Sequence, residues 1–66
     1  MDVKINNKKY SFENKITITT MLRKLNLAHK PCAVEVNKKI VTSINHHNFI
    51  LSEGDQIEIV TLVGGG

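Results

Sequence analysis

One segment of this 66-residue chain has the apolar spacing of an amphipathic α-helix, and this segment constrains the fold more than any other feature. Its four apolar residues recur at positions i, i+3, i+4 and i+7: Ile18, Met21, Leu22 and Leu25. Thr17 can cap the helix, and Pro31 prevents its continuation, so we expect the helix to end near Asn26. The remaining chain must then supply a sheet against which Leu22 and Leu25 are buried.

Two β-hairpins are predicted on either side of the helix. Residues 3–12 alternate apolar and polar side chains around Asn6-Asn7-Lys8, which has the composition of a tight turn. After the helix, residues 32–41 show a second β-like pattern interrupted by Asn37-Lys38. Each hairpin has one apolar face, so both are expected to contribute strands to the same core.

The longest strand pattern, residues 57–63, follows a turn at residues 52–55. Both of its faces carry apolar side chains, which predicts a central position in the sheet. Between the second hairpin and this turn, residues 42–52 form an irregular crossing with three apolar anchors: Ile44, Phe49 and Leu51. The predicted fold class is α+β, a mixed sheet of four to five strands with one main helix across it, in a single domain of residues 1–63.

Composition narrows the classes of function. The chain is 41% hydrophobic and 23% charged, which is typical of a globular domain rather than a disordered one. No uninterrupted apolar run exceeds three residues, whereas a membrane span needs about 20, so neither a membrane segment nor a secretory leader is predicted. A core of this size contributes about 3 to 5 kcal/mol of net stability. A self-contained enzyme is therefore disfavoured, and a binding or carrier module is expected.

Charge is distributed unevenly along the chain. All nine basic residues lie in residues 1–39, whereas residues 40–66 contain three acidic residues and no Lys or Arg. A nucleic-acid partner is disfavoured because stacking aromatics are few and only Tyr10 and Phe12 lie near lysines. The lysines are interpreted as a solvated surface, with electrostatic steering toward an acidic partner as the alternative.

The single cysteine and the histidines offer weak candidates for a reactive site. Cys32 cannot form an internal disulfide, which favours a reducing, cytoplasmic compartment or an organelle stroma. Its proximity to His29 could suggest a thiolate pair, but a small buried hydrophobe is the favoured interpretation. His46 and His47 would point in opposite directions in an extended chain, so a solvated loop is expected there. No catalytic residue and no metal site are predicted.

Three stretches of the chain together resemble the ThiS family, the sulfur carrier proteins of thiamine thiazole biosynthesis. They are Thr-Ile-Thr-Thr-Met-Leu of the helix with its preceding hairpin, residues 33–41, and residues 53–66, which combine a Gly-Asp turn, one long apolar strand and three final glycines. The resemblance spans the whole chain and implies a ubiquitin-like β-grasp fold. Two positions depart from the family pattern, Thr42 where proline is frequent and His46 where a bulky aromatic is frequent, and both lie in the crossing.

The same resemblance implies a function for the C-terminal glycines. In that family the terminal carboxylate, here that of Gly66, is adenylated and converted to a thiocarboxylate that donates sulfur for the thiazole ring, while Gly64 and Gly65 enter the partner's channel. The implied partners are an adenylyltransferase of the ubiquitin-activating type that uses ATP, a sulfurtransferase or cysteine desulfurase, and thiazole synthase. The chain itself would bind no cofactor and catalyse no reaction.

The glycines also support a carrier role on chemical grounds. A carboxylate is inert until a leaving group such as adenylate is attached, so it must be threaded into a nucleotide site of another protein. Residues 64–66 lack Cβ atoms and can follow almost any path, which suits a flexible threading tail. A frayed terminus or the remnant of an expression tag is the competing explanation.

Rival functions remain open at this stage. Carriers for molybdopterin synthase or for tRNA thiolation also end in Gly-Gly, although they tend to be longer, and a β-grasp interaction module without carrier function is the rival from another class. Three apolar residues can belong either to an exposed docking patch or to the core: Ile40, Phe49 and Val60.

Overall fold

Residues 1–62, the part that this computed structural model describes, form five strands, one α-helix and one short 3-10 turn. In chain order these are β1 (Asp2–Ile5), β2 (Lys8–Ser11), α1 (Ile18–Lys24), β3 (Cys32–Val36), β4 (Lys39–Val41), the 3-10 turn (Ser43–Asn45) and β5 (Gln56–Thr61). Both predicted hairpins are present, as β1–β2 and β3–β4, and both pair antiparallel. No helix in this part of the chain is long and apolar enough to cross a membrane.

The last strand occupies the middle of the sheet. The spatial order is β2-β1-β5-β3-β4, with β5 parallel to β1 and antiparallel to β3. The predicted mixed sheet with one helix is confirmed, and so is the central position of the last strand. The core lies between the helix and one face of this sheet. Its most completely buried residues are Ile18, Met21, Val34, Leu51 and Ile57.

The central position of β5 was predicted from burial of both of its faces, but only one face is buried. Ile57 and Ile59 face the helix and are buried, but Val60 and Leu62 are 58% and 51% exposed. Among residues 1–62 one short helix covers a single face of the five-stranded sheet, so the apolar side chains at the other face of β5 stay exposed. Hydrogen bonding on both sides, rather than burial of both faces, defines this strand as central.

The helix begins as predicted. The Thr17 hydroxyl accepts a hydrogen bond from the backbone N–H of Thr20 at 3.1 Å, which satisfies one of the free donors of the first turn. Leu25 is the C-cap, and Asn26 follows with a φ of 61°, the left-handed conformation that ends many helices. Leu22 is buried as expected.

Leu25, by contrast, is only partly buried, although it packs against the core, so the prediction of its burial is right in part. It lies at the end of the helix, where it lines an open cleft together with Tyr10, Leu27 and Thr61. The helix is seven residues long and does not extend far enough to close the core at this end.

The side chains of two turn asparagines form hydrogen bonds that join β5 to the turns of the two hairpins. Asn6 accepts a hydrogen bond from the N–H of Ile59 at 2.8 Å and donates one to its carbonyl oxygen at 3.1 Å, beyond the point where β1 ends. Asn37 accepts from the N–H of Gln56 at 3.0 Å and donates to the carboxylate of Asp55 at 3.0 Å. Both have positive φ values, 50° and 52°, which asparagine tolerates better than most residues. Each turn residue therefore extends the backbone ladder of β5 with its side chain.

The crossing after β4 packs under the start of the helix. Its backbone bonds there join the N–H of Ile18 to the carbonyl of Phe49 at 3.1 Å and the N–H of Leu51 to the carbonyl of Ile16 at 2.9 Å. Leu51 is fully buried and Phe49 is half-buried, as expected of anchors. Ile44 is 75% exposed, so its assignment as an anchor is wrong.

The edge hairpin carries a short polar network. The Ser11 hydroxyl donates to the Asp2 carboxylate at 2.6 Å, and the Lys9 ammonium lies 3.6 Å from it. The hydrogen bond from Ser11, aided by the charge of Lys9, lowers the pKa of Asp2. Because the folded state holds the deprotonated form, this network contributes stability above the ordinary pKa of an aspartate and loses it as the pH falls below that value.

Leu51 and Leu25 differ in burial, and this difference gives a test of the core. Leu51→Ala should lower the free energy of unfolding by about 2 to 5 kcal/mol, because Leu51 is fully enclosed. Leu25→Ala should lower it by less, about 1 to 2 kcal/mol, because part of its side chain is exposed in the cleft. Urea denaturation measures both values. Equal losses for the two variants would contradict the cleft at the end of the helix.

The asparagine side chain at the first turn gives a second test. Asn6→Asp keeps the shape and the tolerance of positive φ but removes the donor to the carbonyl of Ile59, so the free energy of unfolding should fall by about 1 to 3 kcal/mol. Asn7→Asp is the matched control. Asn7 also has a positive φ, 69°, and its substitution by aspartate adds the same negative charge. Its effect should stay within about 0.5 kcal/mol. Similar losses in both variants would show that the side-chain bonds of Asn6 do not hold β5.

Candidate functional site

The predicted site residues Gly64, Gly65 and Gly66 lie outside the described residues, and so does the predicted flexible tail. What the structure describes is the strand that leads to them. Thr61 is the ladder partner of Cys32 on β3, and the N–H of Leu62 donates a hydrogen bond to the carbonyl oxygen of Pro31 at 2.8 Å. Strand β3 and the residue before it therefore fix the direction of the chain up to residue 62.

The sheet face opposite the helix is uncovered beside this end of β5. The register pairs Val60 with Ala33 and Glu58 with Glu35, and Glu35 in turn with Ile40 on β4. Residues paired across a ladder point to the same side of the sheet, and so do residues two apart on one strand. We call this surface the open face and define it by six residues: Ala33, Glu35, Ile40, Glu58, Val60 and Leu62.

The open face decides which of Ile40, Phe49 and Val60 belong to an exposed patch and which to the core. Ile40 and Val60 are 72% and 58% exposed and lie on this face, so the docking-patch interpretation fits both residues. Phe49 packs against the core instead and belongs to the other interpretation. Leu62 was not predicted as part of a docking patch, although alternation along the strand places it on the same face as Val60.

Cys32 behaves as part of the core rather than as a reactive thiol. Its side chain is half-buried at the start of β3 and packs against the buried cluster, close to what was predicted. Its sulfur lies 3.5 Å from the carbonyl oxygen of Lys30, an arrangement in which the thiol donates a weak hydrogen bond. His29 is exposed. Within residues 1–62 no three His, Cys, Asp or Glu side chains come together as a metal site.

The prediction that His46 lies in a solvated loop is wrong. It is 7% exposed, and its Nε2 donates to the carbonyl oxygen of Val41 at 2.9 Å, while its own carbonyl accepts from the N–H of Thr19 at 3.0 Å. The chain here makes a 3-10 turn rather than an extended segment, so His46 turns inward while His47 remains exposed as predicted. The bulky aromatic that the family often has at this position was the available signal for burial.

The site is thus the end of a central strand, leading to three glycines, beside an uncovered face of mixed apolar and acidic character. Within the described residues no metal cluster lies beside it.

Comparison with known proteins agrees with this architecture. The crystal structure of the thiamine biosynthesis protein ThiS from Geobacter metallireducens superimposes with a TM-score of 0.84 over 100% of both chains at 23% sequence identity, which supports the fold. The sulfur carrier protein ThiS of Bacillus subtilis (strain 168) is 42% identical over 50 residues, covering 76% of each chain.

A longer relative matches over the full length of the chain. The thiazole synthase of Magnetococcus marinus is 35% identical over all 66 residues, and these residues span only 20% of that protein. The family model named ThiS matches residues 3–66, which include the three glycines. With its five-stranded sheet, its single helix and a match over nearly its whole length, the chain belongs to the ThiS family.

Proposed function

We propose that this chain is a sulfur carrier whose cargo is held at the carboxylate of Gly66 and supplied to the thiazole ring of thiamine. The observation that carries the proposal is that the family match runs through residue 66, so the glycines belong to the family pattern. The name of the Bacillus subtilis relative, a sulfur carrier protein, supports the same function.

The proposed chemistry has three steps. First, a carboxylate oxygen of Gly66 attacks the α-phosphorus of ATP, which forms an acyl adenylate and releases pyrophosphate. Next, the outer sulfur of the donor's persulfide attacks the carbonyl carbon, and AMP leaves with the transferred oxygen, which gives an acyl disulfide. A thiol then attacks the donor's sulfur in that disulfide, forms a new disulfide with the donor's cysteine and releases the thiocarboxylate. The resulting thiocarboxylate contains one sulfur in place of one oxygen, and thiazole synthase then takes up that sulfur.

The partners follow from the chemistry that the proposal requires. ATP binding and activation are assigned to an adenylyltransferase of the ubiquitin-activating type, and the sulfur to a sulfurtransferase or cysteine desulfurase. The relative named thiazole synthase, of which 20% resembles this chain, supports a thiazole synthase as the consumer. The proposed compartment is the one that contains these enzymes, a bacterial cytoplasm or an organelle stroma.

The domain contributes positioning to this scheme. The backbone of β5 pairs with β3 from Ile57 to Thr61 and is bonded to Asn6 at Ile59, so its direction is fixed relative to the open face. Glycine at positions 64–66 allows close approach by a partner's backbone, because no Cβ atom intervenes. A fixed strand followed by residues without side chains suits delivery of a carboxylate into a narrow channel.

The mass of the protein tests this proposal. Incubation with the activating adenylyltransferase, ATP and a sulfur donor should raise the mass by the difference between one sulfur and one oxygen atom. Adding one alanine after Gly66 should abolish the change, since the carboxylate then lies about 3.3 to 3.6 Å beyond the α-phosphate and a methyl group enters the channel. Intact-protein mass spectrometry measures both results.

Cys32→Ser is the control for sulfur bound elsewhere. The mass change should persist in this variant, because the thiol takes no part in the proposed chemistry. A change that tolerates the added alanine but disappears with Cys32→Ser would place the sulfur on the thiol and refute the carrier proposal.

A further inference from the structure

Strand β2 forms one edge of the sheet, and alternate backbone groups along it face away from β1. The N–H of Phe12 donates to the carbonyl of Met1 at 2.8 Å, and the Met1 nitrogen donates to the carbonyl of Phe12 at 2.7 Å, so these residues form a hydrogen-bonded pair. Hydrogen-bonded and non-hydrogen-bonded pairs alternate along an antiparallel ladder. The register therefore turns the N–H and C=O groups of Lys9 and Ser11 outward, where no strand among residues 1–62 pairs with them.

Two uncovered clefts lie beside this edge, on the helix side of the sheet. The first has a volume of about 340 Å³, and its lining includes side chains from β2 and from the end of the helix: Lys8, Tyr10, Leu25 and Leu27. The second, of about 270 Å³, lies beside the other end of β2, between Ser11 and Lys24 of the helix. A free strand edge with pockets for alternate side chains is the arrangement that binds an extended peptide as an added strand.

The charges near this edge favour an acidic segment. Lys8 is the one charged side chain that lines the first cleft among the described residues, and Lys24 lines the second together with Glu13. On the opposite side of the strand, the Lys9 side chain is 71% exposed, although its ammonium lies 3.6 Å from the Asp2 carboxylate. Residues 1–39 as a whole contain nine basic and three acidic side chains, so the surrounding field attracts negative charge.

We propose that the edge of β2 binds an extended segment of a partner protein in which apolar residues alternate with Asp or Glu. Its backbone pairs with the outward groups of Lys9 and Ser11. Its apolar side chains enter the two clefts, and its carboxylates lie on the other side of the added strand, beside the ammonium of Lys9. The glycines and the open face take no part in this contact, so the proposal is independent of the carrier function.

A second copy of this chain fits the same edge poorly. Edge-to-edge pairing of two β2 strands brings Lys8 and Lys9 of one copy close to the same residues of the other, and opposed like charges destabilise a sheet. Lysines on an edge strand commonly protect it from self-association. The same lysines attract a segment of the opposite charge.

The blocked peptide Glu-Val-Glu-Val-Glu-Val-Glu is the probe for this site, and Lys-Val-Lys-Val-Lys-Val-Lys is its control. An NMR titration of the backbone amide signals measures Kd and locates the contact. The acidic peptide should shift the signals of Lys9 and Ser11 most and slow the hydrogen exchange of their N–H groups, because these become hydrogen-bonded. Its Kd should rise with salt concentration, and the basic peptide should cause no shift.

Variants of Lys9 separate its charge from its backbone. Lys9→Gln keeps the outward N–H and should raise Kd about 2- to 5-fold, whereas Lys39→Gln, on the opposite edge strand, should leave Kd unchanged. Lys9→Pro removes the outward donor at a position where an edge strand tolerates proline, and it should raise Kd more than about 10-fold.

Methylated peptides test the backbone contact without changing the protein. Methylation of all glutamate nitrogens or of all valine nitrogens blocks one edge of the peptide at a time, because alternate N–H groups of a strand face opposite sides. One of these two peptides should lose binding and the other should keep it.

Several outcomes would overturn the inference. These are no shift with the acidic peptide at about 1 mM, equal Kd values for Lys9→Gln and Lys39→Gln, or the same effect from both methylated peptides. Shifts centred on the open face, or a wild-type dimer in sedimentation that Lys9→Pro dissociates, would likewise refute it.

Discussion

The structure depends on the pairing of the last strand with both the first and the third. Strand β5 is parallel to β1 and antiparallel to β3, so it joins the two hairpins into one sheet. Without it, each hairpin would be an isolated two-stranded unit, which is marginally stable in water. The strand that completes the core is also the one that leads to the glycines. Folding and the direction of the chain up to residue 62 therefore rest on the same backbone hydrogen bonds.

Local patterns in the sequence predicted much of this fold. The cap at Thr17, the turns at Asn6 and Asn37, and the alternation in β5 each depend on residues within a few positions of one another. The errors concern burial, which depends on distant parts of the chain. Leu25 has helical spacing but lies where the helix ends over an open cleft, and His46 is polar but turns inward to bond a carbonyl five residues earlier.

The candidate site was predictable to a similar degree. Its glycines and the strand before them could be recognised from composition and family resemblance. The open face could not, because alternation shows which residues share a side of a strand but not whether that side is covered. Nor could the sequence pair Glu35 with Glu58, since register across 23 positions depends on how two strands align. Both features required the sheet topology.

The open face lowers the free energy of unfolding, which is already small in a domain of this size. A core of this size contributes only about 3 to 5 kcal/mol, and opposed like charges together with uncovered apolar side chains reduce the margin further. A lysine in place of either glutamate would remove the repulsion within the chain. Selection for stability alone therefore does not account for this surface.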